Sequence, residues 1–162
     1  MLSVGNYLLN ILTVNCNGIR TKSKRLELSD ILDKLCIGAC VVVETHLRED
    51  EKKRVKFPNY TIVTASCRDG ETKKIGGGVL IMVHKVFRAD KDVSIELESQ
   101  MIEHCSVRLY PSARHDAALL LTGLYFPPRL TRGLDLNVLA AIGGVVKNPH
   151  GGSLPAYTGR RF

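Results

Sequence analysis

Short apolar runs rich in β-branched residues are the feature that most restricts how this chain can fold. Their length suits strands buried in a sheet, and none approaches the roughly 20 residues of a membrane-spanning helix. The four such runs are Leu8–Val14, Ala39–Val43, Gly78–Val83 and Ala117–Leu124. Two further segments alternate more weakly, Tyr60–Ser66 and Ile102–Leu109. We therefore expect a fold in which these strands form the core.

One helix is predicted between the first two strands, from about Lys22 to Leu35, with Thr21 or Ser23 as its N-cap. Its apolar residues recur at i, i+3, i+4 and i+7, so one stripe of the helix should face a core. That stripe consists of Leu28, Ile31, Leu32 and Leu35. The order strand, helix, strand and then further strands predicts a mixed α/β layered fold, and 162 residues suffice for one such domain.

Charge and cysteine content limit the partners and the compartment. The chain carries 23 Lys and Arg against 16 Asp and Glu, a net charge of +7 that favours nucleic acid or an anionic membrane surface, although a merely basic surface has the same charge. The 5 cysteines form no CxxC pair, which predicts neither a disulfide framework nor a zinc site. Because no signal peptide or transmembrane segment is recognisable, we expect a reducing location in the nucleus or cytoplasm, away from membranes.

Three of the predicted strands end in a residue of different character, namely Asn15, Glu44 and Tyr125. Strand ends are where a rigid scaffold presents side chains to a site. Taken singly, each has a structural explanation: a turn for the asparagine, an ion pair with a surface lysine for the glutamate, and an amphipathic rim position for the tyrosine. Together they predict a site. A carboxylate beside a carboxamide suits Mg²⁺, and Mg²⁺ in a basic protein suits cleavage of a phosphodiester.

The segments around these residues resemble known signatures. "LTVNCNGIR", "VVVETHL" and "LTGLYFPP" are similar, in order and rough spacing, to three signatures of the endonuclease/exonuclease/phosphatase superfamily. The closest similarity is to apurinic/apyrimidinic-type endonuclease domains of non-LTR retrotransposons. The segment "KIGGGVLIMV" also resembles the Gly-rich strand of those domains. The resemblance implies a four-layered α/β sandwich. Residues 8–142 would be its N-terminal part, followed by an irregular Gly/Pro-rich tail at 143–162.

The resemblance also implies roles for individual residues. Asn15, Glu44 and Tyr125 would be catalytic, with Asn15 in the pocket and Tyr125 on the scissile phosphate. Glu44 would hold Mg²⁺, or Mn²⁺ in its place, with Asn17 near the metal. The implied partner is DNA, with no small-molecule cofactor, and in an intact element the domain is fused to a reverse transcriptase.

Other segments have simpler predicted roles. "GGG" at Gly76–Gly78 lacks the GK[ST] of a P-loop and precedes a strand, so a turn or a close backbone approach is predicted. The segment Arg48–Lys56 mixes both signs of charge and is predicted to be a solvated loop. Cys16 is predicted to be a buried apolar residue and His46 to be structural. Basic residues that flank the proposed site are predicted to contact DNA phosphates; they are Lys73, Lys74, Arg129 and Arg132.

Two further signatures of the family are not recognisable. The "GD-x-N" motif, whose Asp orients the attacking water, is imitated by "LDLN" at residues 134–137, but this lies too close to Tyr125. No "SDH"-like motif follows, and His150 is predicted to be a loop residue. A truncated or frame-shifted copy with little or no activity is therefore expected. Three functions stay open: a Mg²⁺-dependent DNA endonuclease, a catalytically dead or basic nucleic-acid-binding remnant, and another phosphodiesterase or phosphatase of the same fold.

Overall fold

The structure is a computed structural model, and it describes residues 3–4, 7–67, 77–94, 102–110 and 118–126. These residues all belong to the first of two units into which the chain divides, Met1–Pro127. The second unit, Pro128–Phe162, lies outside the described residues, and so does the predicted boundary between residues 142 and 143.

The described secondary structure comprises two helices and nine strands. In chain order these are β1 (Ser3–Val4), β2 (Tyr7–Leu8), β3 (Asn10–Asn15), α1 (Lys22–Lys34), β4 (Ile37–Val43), α2 (Glu49–Lys52), β5 (Tyr60–Ser66), β6 (Val79–His84), β7 (Arg88–Asp92), β8 (Glu103–Tyr110) and β9 (Leu119–Tyr125). All six predicted strands are present, with ends that differ by at most two residues.

Two sheets form the body of this region. The first has four strands in the order β3-β4-β6-β5, and the second has three strands in the order β7-β8-β9. β3 and β4 pair in parallel, whereas the other described pairings are antiparallel. β1 and β2 form a separate two-stranded ladder.

Strand β4 is covered on both faces. Cys40 and Val42 belong to the core formed with Leu32 of α1, whereas Val41 belongs to the core formed with Val107 of β8. Burial on both faces explains why "IGACVVV" is continuously apolar instead of alternating with polar residues. The described region therefore has three layers, α1, the first sheet and the second sheet. The predicted mixed α/β class is confirmed.

Helix α1 begins where its predicted cap places it. The Thr21 side chain accepts a hydrogen bond of 3.4 Å from the backbone N–H of the third helical residue, which satisfies one of the donors left open at a helix start. Within the described ranges, neither helix combines the length and apolarity needed to cross a membrane.

The face that α1 buries differs from the predicted stripe. Leu28 and Leu32 are buried as expected, but Ile31 and Leu35 are 41% and 56% exposed. Ser29 is buried in their place. The helix is thus rotated so that the stripe through residues 28, 29 and 32 meets the sheet. The prediction that Ile31 and Leu35 face the core was wrong.

The prediction of a solvated loop at Arg48–Lys56 is wrong in part. This segment contains α2, and its Val55 is buried in the core beside α1. Glu51 accepts hydrogen bonds from Nε of Arg20 at 2.9 Å and from the backbone N–H of Arg48 at 3.0 Å. Burial acts to raise the pKa of Glu51, but these bonds and the two positive charges lower it on balance.

Strand β7 was not predicted, because "RADKD" lacks the composition of a strand. It forms because it pairs along its whole length with β8, which supplies the backbone partners. Asp92 accepts hydrogen bonds from Ser94 and, at 2.7 Å, from Nη2 of Arg108. The bonds from Ser94 and the guanidinium of Arg108 together hold the pKa of Asp92 below its usual range against the effect of burial.

Gly123 sets how closely the two sheets approach. A Cβ atom at this position would lie 2.7 Å from Cγ1 of Val41 and 2.8 Å from Cγ1 of Val79, both in the first sheet. We expect Gly123→Ala to lower the free energy of unfolding by about 1–3 kcal/mol, since overpacking forces neighbours out of position. Urea denaturation followed by circular dichroism measures this change.

The matched control is the double variant Gly123→Ala/Val79→Ala, which removes one of the two Cγ1 atoms that the new methyl group would meet. Its loss of stability should be smaller than the sum of the two single losses, since the substitutions share one contact. Strictly additive losses would contradict the proposed role of Gly123.

Candidate active site

The parallel strands β3 and β4 end at the same edge of the first sheet. Asn15 is in register with Val43, so Asn15 and Glu44 leave neighbouring strands side by side. Pairing continues past the strand ends, because Cys16 N–H donates to the carbonyl of Val43 at 3.2 Å and Gly18 N–H donates to that of Glu44 at 2.6 Å. The two residues predicted from strand ends are therefore neighbours in the fold.

Tyr125 joins this edge from the second sheet. It is the last residue of β9, and its hydroxyl donates a hydrogen bond of 3.3 Å to Oε1 of Glu44, a residue 81 positions earlier in the chain. Both side chains are partly buried. Two of the three residues predicted to be catalytic are thus in direct contact, and Glu44 accepts from this tyrosine hydroxyl.

The contact depends on an unusual backbone conformation of Glu44. Strict alternation along β4 would put residue 44 on the same face as Cys40 and Val42, which pack towards α1. Its φ of +54° breaks that alternation, and the carboxylate meets Tyr125, which packs in the core on the opposite face. A non-glycine residue in this region costs about 1–3 kcal/mol and is typical of functional sites.

Left-handed residues are concentrated at this edge. Of the seven described residues with positive φ, six follow β3 or β4 or precede β6: Asn17, Gly18, Glu44, His46, Gly77 and Gly78. The seventh, Cys36, precedes β4 and so lies at its other end. Three of the six, Asn17, Glu44 and His46, carry side chains, and this strained backbone marks the edge as the candidate site of the described region.

Backbone hydrogen bonds hold the strained segment in place. Thr45 N–H donates to the carbonyl of Gly78 at 3.2 Å, and His46 N–H donates to that of Gly77 at 3.0 Å. Ile19 N–H donates to the carbonyl of Thr45 at 3.0 Å. The segment after β4 is therefore fixed from both sides, by the segment after β3 and by the segment before β6.

The glycines before β6 are required by space as well as by φ. A Cβ atom on Gly78 would overlap Oγ1 of the buried Thr45, and one on Gly77 would overlap the carboxylate of Glu103. The predicted close backbone approach is confirmed for Gly77 and Gly78, and Gly76 lies outside the described residues.

Asn15 forms the turn that follows β3. Its Oδ1 accepts a hydrogen bond of 3.0 Å from the backbone N–H of Asn17, the pattern of an Asx turn. Nζ of Lys24 closes the turn from α1 by donating to the carbonyls of Asn17 at 2.7 Å and Cys16 at 3.3 Å. The structural explanation of Asn15 thus holds, and it leaves the amide nitrogen of the side chain for a ligand.

Glu103 is a second carboxylate at this edge, which sequence reasoning missed. It is buried, it lies opposite Tyr125 in the β8–β9 register, and its Oε2 accepts a hydrogen bond from Gly78 N–H. The available signal was its position in "IEHCSVRL", where it shares the inward face with Cys105 and Val107. A glutamate on the apolar face of a strand calls for a partner.

The donor atoms at this edge suit Mg²⁺ more than zinc. Within the described ranges, no three His, Cys, Asp or Glu side chains form a metal-binding group. Mg²⁺ requires only one or two carboxylates and completes its shell with water and phosphate oxygens. The Glu44 carboxylate is a hard oxygen donor of this kind. The carboxamides of Asn15 and Asn17 lie on the adjacent turn, where Oδ1 of Asn15 already accepts the Asn17 N–H.

Several predicted site residues lie outside the described residues. They are Lys73, Lys74, Arg129 and Arg132, with residues 134–137 and His150. Their predicted roles stay predictions. His46 packs against Gly18, since a Cβ atom on that glycine would lie 3.2 Å from its Nδ1, in keeping with the structural role predicted for it.

A comparison with known protein families gives no match to any family model.

The relative reactivity of the cysteine thiols tests whether Cys16, which lies between Asn15 and Asn17, has a structural role. Burial raises the pKa of its thiol, although the charge of Lys24 acts in the opposite direction. Burial also raises the pKa of Cys40 and Cys105 to about 12, while Cys36 is exposed. Because the thiolate is the reactive form, iodoacetamide at pH 8 should label Cys36 first and the two buried thiols only after unfolding.

Peptide mass spectrometry over a time course measures the order of labelling. Labelling of Cys16 before Cys36 in the folded protein would identify Cys16 as an activated nucleophile and contradict its structural role.

Proposed function

We propose that this chain is a Mg²⁺-dependent DNA endonuclease domain of the endonuclease/exonuclease/phosphatase type, of the kind encoded by non-LTR retrotransposons. The observation that carries the proposal is the hydrogen bond between Tyr125 and Glu44. Residues from two distant motifs, singled out for the same chemistry, meet at one edge of the fold. The net charge of +7 supports DNA over a lipid or inositol phosphate as substrate.

The layer order is compatible with the proposal. A four-layered sandwich has two sheets packed face to face with helices outside them. Helix α1, the four-stranded sheet and the three-stranded sheet would be three of those layers. In such a sandwich the site lies at one end of the packed sheets, which is where Glu44 and Tyr125 meet.

Each residue has a role in the proposed reaction. Glu44 would hold Mg²⁺, which would supply positive charge to stabilise the phosphate and the leaving oxygen. The side-chain N–H₂ of Asn15 donates to a phosphate oxygen, because Oδ1 of that side chain already accepts from Asn17. The Tyr125 hydroxyl turns its proton from Glu44 to the scissile phosphate. Water would attack phosphorus in line with the leaving oxygen, so that one P–O bond forms as the bond to the leaving oxygen breaks. The proton lost by the water would pass to solvent, the leaving oxygen would take a proton from solvent, and a nick would result.

A second candidate is favoured by a specific observation. The sequence has no recognisable "GD-x-N" or "SDH" motif, which would orient the attacking water and act on the phosphate. Without them the chain would be a catalytically dead remnant that binds nucleic acid through its positive charge. Such binding weakens steeply with salt, since it depends on release of counterions from the phosphates.

A plasmid-nicking assay separates the two candidates. The wild-type chain should convert supercoiled plasmid to the nicked form with Mg²⁺ and not with EDTA. Glu44→Ala should slow nicking by at least about a hundredfold, the scale of losing one group that stabilises transition-state charge. Glu49→Ala is the matched control, because this glutamate is exposed on α2; it should nick at the wild-type rate.

The outcomes are distinct. Nicking that Glu44→Ala leaves unchanged would point to a contaminating nuclease and contradict the assignment of Glu44. Absence of nicking by the wild-type chain, with salt-sensitive retention of a labelled duplex, would establish the second candidate.

Tyr125→Phe tests the phosphate contact. This variant keeps the ring in the core and removes the hydroxyl that reaches Glu44. We expect nicking to slow by about ten- to a hundredfold, while the free energy of unfolding falls by no more than about 1 kcal/mol, the net value of one hydrogen bond. Nicking rates and urea denaturation of the same preparations measure both. An unchanged nicking rate would remove Tyr125 from the proposed mechanism.

A further inference from the structure

We propose that Glu103 is a positioning residue for Glu44. Its buried carboxylate fixes the Gly77–Gly78 backbone, and that backbone in turn fixes the left-handed segment that carries Glu44. The inference rests on the proposed function for the catalytic importance of Glu44, whereas the structural relay itself is independent of it.

The first step of the relay joins the two sheets. Glu103 is the first residue of β8 in the second sheet, and its Oε2 accepts the backbone N–H of Gly78, which immediately precedes β6 in the first sheet. The carboxylate also lies against Gly77 so closely that a methyl group there would overlap it. A charged acceptor forms a stronger hydrogen bond than a neutral one, so this contact is suited to hold backbone in place.

The second step runs from the glycines to the segment after β4. The carbonyls of Gly77 and Gly78 accept the N–H groups of His46 and Thr45 at 3.0 and 3.2 Å. Because Gly78 donates to Glu103 through its N–H and accepts from Thr45 through its carbonyl, a single residue connects the carboxylate to the strained segment.

The third step reaches the carboxylate of Glu44. Both polar groups of the peptide between Glu44 and Thr45 are held. The Thr45 N–H donates to the carbonyl of Gly78, and the carbonyl of Glu44 accepts Gly18 N–H at 2.6 Å. A glutamate with a φ of +54° relaxes to a negative φ unless its surroundings hold it, because the left-handed conformation is costly for a residue with a side chain. In relaxed β conformation the side chain would leave Tyr125 for the α1 face.

The position of Glu103 supports a relay rather than simple packing. Its neighbours on the inward face of β8, Cys105, Val107 and Leu109, are apolar, and an apolar residue at 103 would continue that pattern. A buried carboxylate is costly to desolvate unless it has partners, and one partner here is the backbone N–H of Gly78. Its cross-strand neighbour is Tyr125, so the second sheet presents both the partner of Glu44 and the residue that orients its backbone.

The test compares three variants of the full chain. Glu103→Leu removes the acceptor and keeps the volume roughly constant. Glu103→Gln retains an oxygen that can accept from Gly78 N–H. Ser106→Ala is the matched control, since Ser106 is a buried polar residue on the same strand whose hydroxyl bonds to Thr122 at 3.0 Å. Amide hydrogen exchange by NMR is read at Thr45 and His46, with amides in the middle of β4 as the reference.

The relay predicts a local effect that the amide side chain rescues. Glu103→Leu should speed exchange at Thr45 and His46 by about tenfold relative to the middle of β4, the scale of one lost hydrogen bond. Glu103→Gln and Ser106→Ala should leave those two amides near their wild-type rates. In the nicking assay, Glu103→Leu should lower kcat and leave KM for DNA unchanged, because DNA contacts are not removed.

Three outcomes would overturn the inference. They are unchanged exchange at Thr45 and His46 in Glu103→Leu, a uniform increase that includes the middle of β4, and equal loss in Glu103→Gln and Glu103→Leu. If Glu103→Leu does not fold, Gly77→Ala disturbs the same contact from the other side, and unchanged Thr45 and His46 amides in that variant would overturn the inference as well. A wild-type chain that does not nick DNA would refute the proposed function and leave the exchange result to decide the relay.

Discussion

The described fold depends on one constraint, which is that strand β4 is apolar on both faces and both faces must be covered. Its residues Cys40 and Val42 are buried against α1, and Ala39 and Val41 are buried against the second sheet. Full burial of a valine contributes about 1.5–3 kcal/mol relative to exposure, so a strand of such residues is stable only between two layers. The helix and the second sheet satisfy this requirement from the two faces, while β3 and β6 each pair with one side of β4.

The same constraint explains where strain can be tolerated. Two left-handed residues with side chains, Glu44 and His46, follow β4, where the segment after β3 on one side and the segment before β6 on the other over-determine the backbone. Each such residue costs about 1–3 kcal/mol, which the burial of the neighbouring strands offsets. Rigid apolar strands thus carry a small region of unfavourable backbone that aims polar side chains away from their regular positions.

The sequence was sufficient for six of the nine described strands, and it marked three strand-end residues that the fold brings to one edge, because both signals depend on local patterns. Apolar runs of the right length located six strands, and a polar or aromatic residue at a strand end marked Asn15, Glu44 and Tyr125. That Tyr125 would touch Glu44 was not available from pattern, since it depends on how two sheets pack. Glu103 was missed for a related reason, because its partner is a backbone N–H contributed by a glycine 25 positions earlier.

Other differences also arise from tertiary contacts. Strand β7 forms because β8 provides hydrogen-bonding partners, although its own residues are mostly charged. The face that α1 buries follows from the core in which Leu28 and Leu32 pack, which periodicity along the helix cannot specify. The left-handed conformation of Glu44 could not be predicted from the conformational preference of glutamate, which ordinarily avoids it.

The separation of Glu44 and Tyr125 along the chain has a consequence for when the site exists during folding. The first sheet can be completed once β6 has been made, yet the site lacks Tyr125 until β9 joins β8, near the end of the described residues. Contacts between distant segments form late because closing long loops is entropically costly. A nascent or partly unfolded chain would therefore carry Glu44 without its partner, and the hydrogen bond between them would report that the two sheets have docked.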